Sequence, residues 1–192
     1  MNRKKWIILT VLSLTLVVLA IIFFKSGIRE KIKPYEPETF PGVKLSPEEK
    51  AEAQKVTLFF LSDKDALLHP EEREIPMISS LVLAARRTVE ELIQGSREDL
   101  VSPFPPQTQL REFFITDEGV AYVDFSKDFQ EFHPSGSSAE MLTVYSVVNT
   151  LTYNFKSVKK VFILIEGRER DTLSGHIDLT RPLVPQYGMI AR

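Results

Sequence analysis

The chain has 192 residues, no cysteine, and 24 Lys or Arg against 26 Asp or Glu; this length accommodates an anchor, a linker and one domain of ordinary size. Without cysteine it carries neither a disulfide framework nor the thiol of a lipoprotein anchor. Past residue 33 the balance is 17 basic to 25 acidic residues, a formal charge of −8, and nothing there resembles the clustered basic face that nucleic acid demands.

Trp6 to Phe24 is an uninterrupted run without charge, preceded by Arg3-Lys4-Lys5 and followed by Lys25. At about 1.5 Å per residue such a helix nearly spans a hydrocarbon core of about 30 Å. It exceeds the apolar stretch of a cleaved signal peptide and lacks a small-residue cleavage site. The expectation is a short cytoplasmic tail (1–5), a single-pass transmembrane signal anchor (6–24), and a domain on the extracytoplasmic side of the cytoplasmic membrane. Basic residues are nearly balanced on the two flanks, so orientation follows from the short tail and long polar domain rather than from charge.

Residues 25–54 form a Pro-rich, charged linker, in which Ser46-Pro47 and the following Glu48-Glu49 suggest a short polar helix ending near Lys55. Val56 to Leu61 predicts a first strand, Ser62 to Pro70 a loop, and Glu72 to Pro76 a short edge strand. Ile78, Leu81, Val82, Ala85, Val89, Leu92 and Ile93 trace one helical face, and Gly95 marks its end. Leu110–Thr116 and Val120–Phe125 predict a hairpin turning at Asp117-Glu118-Gly119. Ser137 and Glu140 have capping-box spacing at the start of a second helix, whose Met141, Val144, Tyr145, Val148, Leu151 and Phe155 recur at helical intervals. Leu142 and Val147 widen that stripe, which predicts cover on more than one side. Val161 to Ile165, five apolar residues in succession, reads as a central strand. The order strand, helix, strand, strand, helix, strand predicts an α+β fold: one small mixed sheet with two helices packed on one face. The domain spans residues 55–183, followed by a C-terminal tail, 184–192.

Candidate chemistry is sparse. His176 and Asp178, two apart in an extended segment, have the spacing for a shared metal or a base and its orienting group. With His69 and His133 in other loops, their alternative role is to fix the C-terminal segment through backbone hydrogen bonds. Asn149 and Thr150 lie in the apolar second helix, suited either to ligand or partner-strand recognition or to local backbone bonding. Asp124, Asp128 and Glu131 invite a paired-carboxylate reading, but nothing in the sequence desolvates one of them. Phe104, between Pro103 and Pro105, is either an exposed contact for a partner or a ring packed on its own domain.

Seven fragments occur in register along the chain: Val56-Thr57-Leu58-Phe59-Phe60, Glu71 to Ile75, Leu100 to Pro105, Gly119 to Ser126, Val148 to Thr152, Val158 to Val161 and Gly175 to Leu179. Their order and spacing resemble the GerMN domain of sporulation and spore-germination proteins. That resemblance implies an extracytoplasmic domain following a transmembrane or lipid anchor, similar to the ring-building motif of secretion and sporulation complexes. It brings no catalytic residues, metal or cofactor. The chain departs from the best-known members in carrying one copy of the domain and a plain apolar anchor. The expected function is therefore an envelope interaction or assembly domain that meets another envelope protein or itself, with a cell-wall glycan or peptide-binding module as the alternative and an envelope hydrolase last.

Overall fold

A computed structural model describes residues 52–134 and 136–191. The expected transmembrane anchor and most of the linker lie outside the described residues, and among those described no helix is long and apolar enough to cross a membrane.

The first element is a hairpin of β1 (Ala53–Leu61) and β2 (Leu68–Pro76), paired antiparallel over nine residues. Ala53 to Lys55, expected to end a polar helix, are strand. The second strand is longer than its expected Glu72–Pro76 and takes in Leu68, His69 and Pro70. From Pro70 onward the strand alternates, with Glu71, Arg73 and Ile75 buried and Pro70, Glu72, Glu74 and Pro76 exposed. Leu68, buried out of that phase, extends it by packing with Phe59 and Leu142.

Helix α1 (Leu81–Ile93) begins at Ser80, whose hydroxyl accepts from the Leu83 N–H, and buries Ala84, Ala85, Thr88, Val89 and Leu92. The second hairpin joins β3 (Leu110–Ile115) to β4 (Val120–Phe125). Its turn requires Gly119: the residue has φ +84°, and a Cβ there would lie 2.4 Å from the Ser157 carbonyl oxygen. A one-turn helix, α2 (Asp128–Glu131), leads to α3 (Ser137–Asn154), and β5 (Lys160–Ile165) then pairs parallel to β4. A short 3-10 turn, Tyr187–Met189, is the last helical element.

The strands form two sheets, β1-β2 and β3-β4-β5, where one was expected. Helix α3 supplies the reason. It lies along the outer edge of β1, where Ser146 Oγ donates to the Phe59 carbonyl (2.5 Å), Thr150 Oγ1 accepts from the Phe59 N–H (3.1 Å), and Asn154 accepts from the Thr57 N–H and donates to its carbonyl. Ser146, Thr150 and Asn154 are spaced four apart and share a helix face. Their side chains occupy the positions that a neighbouring strand would have filled.

Burial of α3 on several sides agrees with its broad apolar pattern. Val144, Val147, Val148 and Leu151 join a core with Val56, Leu58 and Phe60 of β1, Val89 and Leu92 of α1, and Val161, Ile163 and Ile165 of β5. Phe59, Leu68 and Leu142 form a second, smaller cluster. Strand β5 is not the middle of its sheet; β4 is. The unbroken apolar run of β5 serves both faces: Val161, Ile163 and Ile165 join the core and Phe162 packs against Tyr122 on the other side. Its outer edge is bridged from Val161 to Leu183 and from Ile165 to Arg168. The stretch beyond Leu183 belongs to the fold, since Ile190 bridges Leu68 and the Ala191 N–H donates to the Leu68 carbonyl.

Candidate functional surface

The residues singled out by the sequence are dispersed by the fold. Phe104 is 5% exposed and packs against Phe125 and Phe129, with ring centroids 5.6 and 5.3 Å away. It is a core ring, not an exposed partner contact. Asn149 is buried and holds Gln186 at both backbone groups: its Nδ2 donates to the carbonyl (3.0 Å) and its Oδ1 accepts from the N–H (2.9 Å). Thr150 holds Phe59, as described above.

His176 and Asp178 do not form a pair. Asp178 accepts from the Thr180 N–H and hydroxyl and from Arg181, whereas His176 Nδ1 lies 2.9 Å from Glu140 Oε2. Glu140 is not a reciprocal cap either. Gly136 occupies the cap position, and Ser137 already lies inside the helix. The Glu140 carboxylate, fully buried, instead accepts from the backbone N–H groups of Leu173, His176 and Ile177 and from the Ser174 hydroxyl. Burial acts to raise its pKa, but these donors and the His176 ring outweigh that and hold it down at about 2. One carboxylate thus nucleates the loop 173–177.

The other titratable groups are likewise committed to the fold. His69 pairs with Asp65, and His133 Nε2 lies 2.9 Å from Thr143 Oγ1, where burial lowers its pKa. Asp124 accepts from the Gly167 N–H, Asp128 from Ser126, and Glu131 pairs with Lys127. Among the described residues no group of three His, Asp or Glu side chains is arranged to hold a metal ion. A buried ionic knot ties β2 to α1 and the following loop: Arg73 contacts Glu71, Glu91 and the carbonyls of Glu91 and Gly95, and Glu71 also accepts from Ser96 and the Arg97 N–H.

Sheet edges distinguish one region from the rest. The outer edge of β1 is occupied at Thr57 and Phe59 by α3 and at Leu61 by two hydrogen bonds to Val101. That of β2 carries Pro70 and Pro76, which cannot donate, on either side of exposed Glu72 and Glu74, and its Leu68 end is taken by Ala191. That of β5 is bridged by Leu183 and Arg168. Strand β3 differs. Thr116 pairs with Val120, so Phe113 and Ile115 direct their N–H and C=O groups away from β4. Those groups have no backbone partner among the described residues. Only the start of this edge is covered, where Arg86 donates to the Leu110 and Arg111 carbonyls.

On the sheet face opposite the core, cross-strand neighbours Phe114, Tyr122 and Phe162 form an aromatic ladder. Phe114 and Tyr122 stack at 4.5 Å with planes 9° apart, and Tyr122 meets Phe162 edge-on at 5.2 Å. The ladder runs from buried Phe162 through half-buried Tyr122 to Phe114, which is 48% exposed on the open edge. A separate open cleft of about 980 Å³ lies between the end of α3 and the 3-10 turn, lined by Tyr153, Lys156 and Tyr187 among others.

The hairpin, the three-stranded sheet and the long helix that binds both define a small α+β domain without an assembled catalytic centre among its described residues. A family model described as Germane, sporulation and spore germination, matches residues 57–171, and the chain belongs to that family. The fold is shared with the tandem GerMN domains of the sporulation protein GerM from Bacillus subtilis (23% identity, TM-score 0.58), with the match covering 71% of this chain and 48% of that one. The first GerMN domain of the same protein, taken alone, matches at 24% identity and TM-score 0.53 over 68% of this chain and 97% of its own. A candidate lipoprotein from Clostridium perfringens matches at 24% identity and TM-score 0.51, over 72% of this chain and 92% of that one. No curated protein matches the chain.

Sequence reading missed the surface that stands out here. Phe114 and Tyr122 were legible as strand residues, but their register across the turn, which stacks them, is a property of the paired strands. The Ser146, Thr150, Asn154 spacing was the available signal that α3 binds something polar along its length.

Proposed function

We propose that the chain is a single-pass envelope protein whose GerMN domain acts by protein contact on the extracytoplasmic side of the cytoplasmic membrane. The apolar run 6–24 tethers it there and raises its local concentration. Another envelope protein or a second copy is its partner, and it works as a binding domain, not an enzyme. The observation that carries this reading is the open edge of β3, with Phe114 exposed beside it, whereas the outer edges of β1 and β5 are bridged and that of β2 is interrupted by prolines. Unpaired strand edges recruit strands, and folds that do not use them block them.

The test is site-specific photocrosslinking of the full chain in its own host, with the photoreactive residue at Phe114, at Tyr153 or at exposed Lys64. The expected result is a discrete protein adduct from position 114 that positions 153 and 64 do not give. Adducts no stronger at 114 than at 64 overturn the reading. Cell-wall material captured at Tyr153, with nothing at 114, replaces it with the glycan-binding alternative, for which the Tyr153 and Tyr187 cleft provides the aromatic walls.

A further inference from the structure

We infer that β3 pairs with β3 of a second copy, antiparallel about a two-fold axis through Phe114, joining two three-stranded sheets into one of six strands. This rests on the reading that the β3 edge is a contact surface, and it names the partner and the register.

The backbone restricts the possibilities. Phe113 and Ile115 present the outward N–H and C=O groups, so an antiparallel copy must place these residues opposite one another. With Phe114 facing Phe114, Phe113 of each copy exchanges both hydrogen bonds with Ile115 of the other, four bonds in all. Phe114 then falls at a non-hydrogen-bonded position, where facing side chains approach most closely. The two ladders become continuous: Phe162, Tyr122 and Phe114 meet their counterparts in reverse order.

Side chains select this register over its neighbours. It sets Glu112 opposite Thr116, so no like charges meet, and it leaves Arg111, which pairs with Glu166 at the bulge of β3, undisturbed. A shift of two residues in one direction sets Glu112 against Phe114 and interrupts the ladder. The opposite shift sets Phe114 against Thr116, which separates the two ladders, and carries Glu112 to the acidic Asp117-Glu118 turn of the other copy. Arg86 already occupies the carbonyls of Leu110 and Arg111, and the favoured register needs neither. Four hydrogen bonds and one ring pair make a small interface, which accounts for dependence on a shared membrane surface.

The absence of cysteine makes the test direct. Single substitutions Phe114→Cys, Glu112→Cys, Thr116→Cys and Lys64→Cys are placed in the full chain, concentrated on lipid vesicles and oxidised mildly. A non-hydrogen-bonded antiparallel pair has a Cα separation compatible with a disulfide. Phe114→Cys is expected to form a reducible dimer at least about tenfold faster than Lys64→Cys, as paired edges raise the local thiol concentration. A mixture of Glu112→Cys and Thr116→Cys chains, which keeps both Phe114 rings, is expected to form the mixed dimer in preference to either homodimer. Rates equal to that of Lys64→Cys in both experiments overturn the pairing. If they are equal while Phe114 photocrosslinks in cells to a protein of different mass, self-pairing falls and the contact reading stands.

Discussion

Arg73→Met is expected to lower the stability of the domain by about 3–5 kcal/mol, the cost of breaking a buried ion pair by removing one partner. The Arg73 side chain is 1% exposed and touches two carboxylates, Glu71 and Glu91, that are themselves 3% and 4% exposed. Methionine fills much of the volume but leaves both carboxylates without their shared cation. Arg87 and Arg97 still reach Glu91, so Glu71, left with Ser96 and the Arg97 N–H, bears more of the loss. Adding Glu71→Gln should therefore recover part of it. Thermal unfolding followed by circular dichroism checks this: a fall in midpoint on the order of 10 °C is expected for a domain of this size. A change within about 1 kcal/mol, the value typical of exposed pairs, would contradict the role assigned to the knot.

Glu140→Gln is expected to cost about 3 kcal/mol at neutral pH and to change how stability responds to acid. The folded-state pKa is about 2 against an ordinary value of 4.5, and each unit of difference corresponds to about 1.4 kcal/mol. Because folding depresses the pKa, the stabilisation is fully present above about pH 4.5 and is lost as pH falls toward about 2. The amide removes that dependence and points an NH2 group at backbone donors that need an acceptor. Denaturant unfolding of both proteins between pH 7 and pH 2 measures the difference. Wild type and variant should converge as pH falls, while the contribution of Glu71, whose pKa is also held low by Ser96, Arg73 and the Arg97 N–H against the effect of burial, is common to both. A gap that stays constant with pH would show that the loop 173–177 does not depend on the Glu140 charge.

The same residue shows where sequence reasoning reaches its limit. Ser137 and Glu140 satisfied the spacing of a local cap, and no local signal says that Glu140 reaches a loop more than thirty residues later in the chain. Elements governed by nearest-neighbour periodicity were legible: β1, α1, the β3–β4 hairpin with Gly119 at its turn, and α3 with its broad apolar surface. What depended on partners distant in sequence was not. The single sheet failed because polar side chains of α3, not another strand, satisfy Thr57 and Phe59. Asn149 and Thr150 stand out in the sequence as polar residues in an apolar helix, and the fold uses them to hold Gln186 and Phe59, neither of which is near them in sequence. The His176 and Asp178 pairing failed for a comparable reason: two residues sharing an extended segment are less constrained by each other than by a buried carboxylate across the domain.

Hydrogen exchange resolved at single amides tests most directly whether β3 is the edge left free for a partner. In the dilute full chain, the Thr57 and Phe59 amides, bonded to Asn154 and Thr150, should exchange slowly, while those of Phe113 and Ile115 exchange fast. When the chain is concentrated on vesicles, protection should appear at Phe113 and Ile115 and leave Thr57 and Phe59 unchanged. Amides at 113 and 115 as protected as that of Phe59 in the dilute chain, or open at every surface density, would contradict the account.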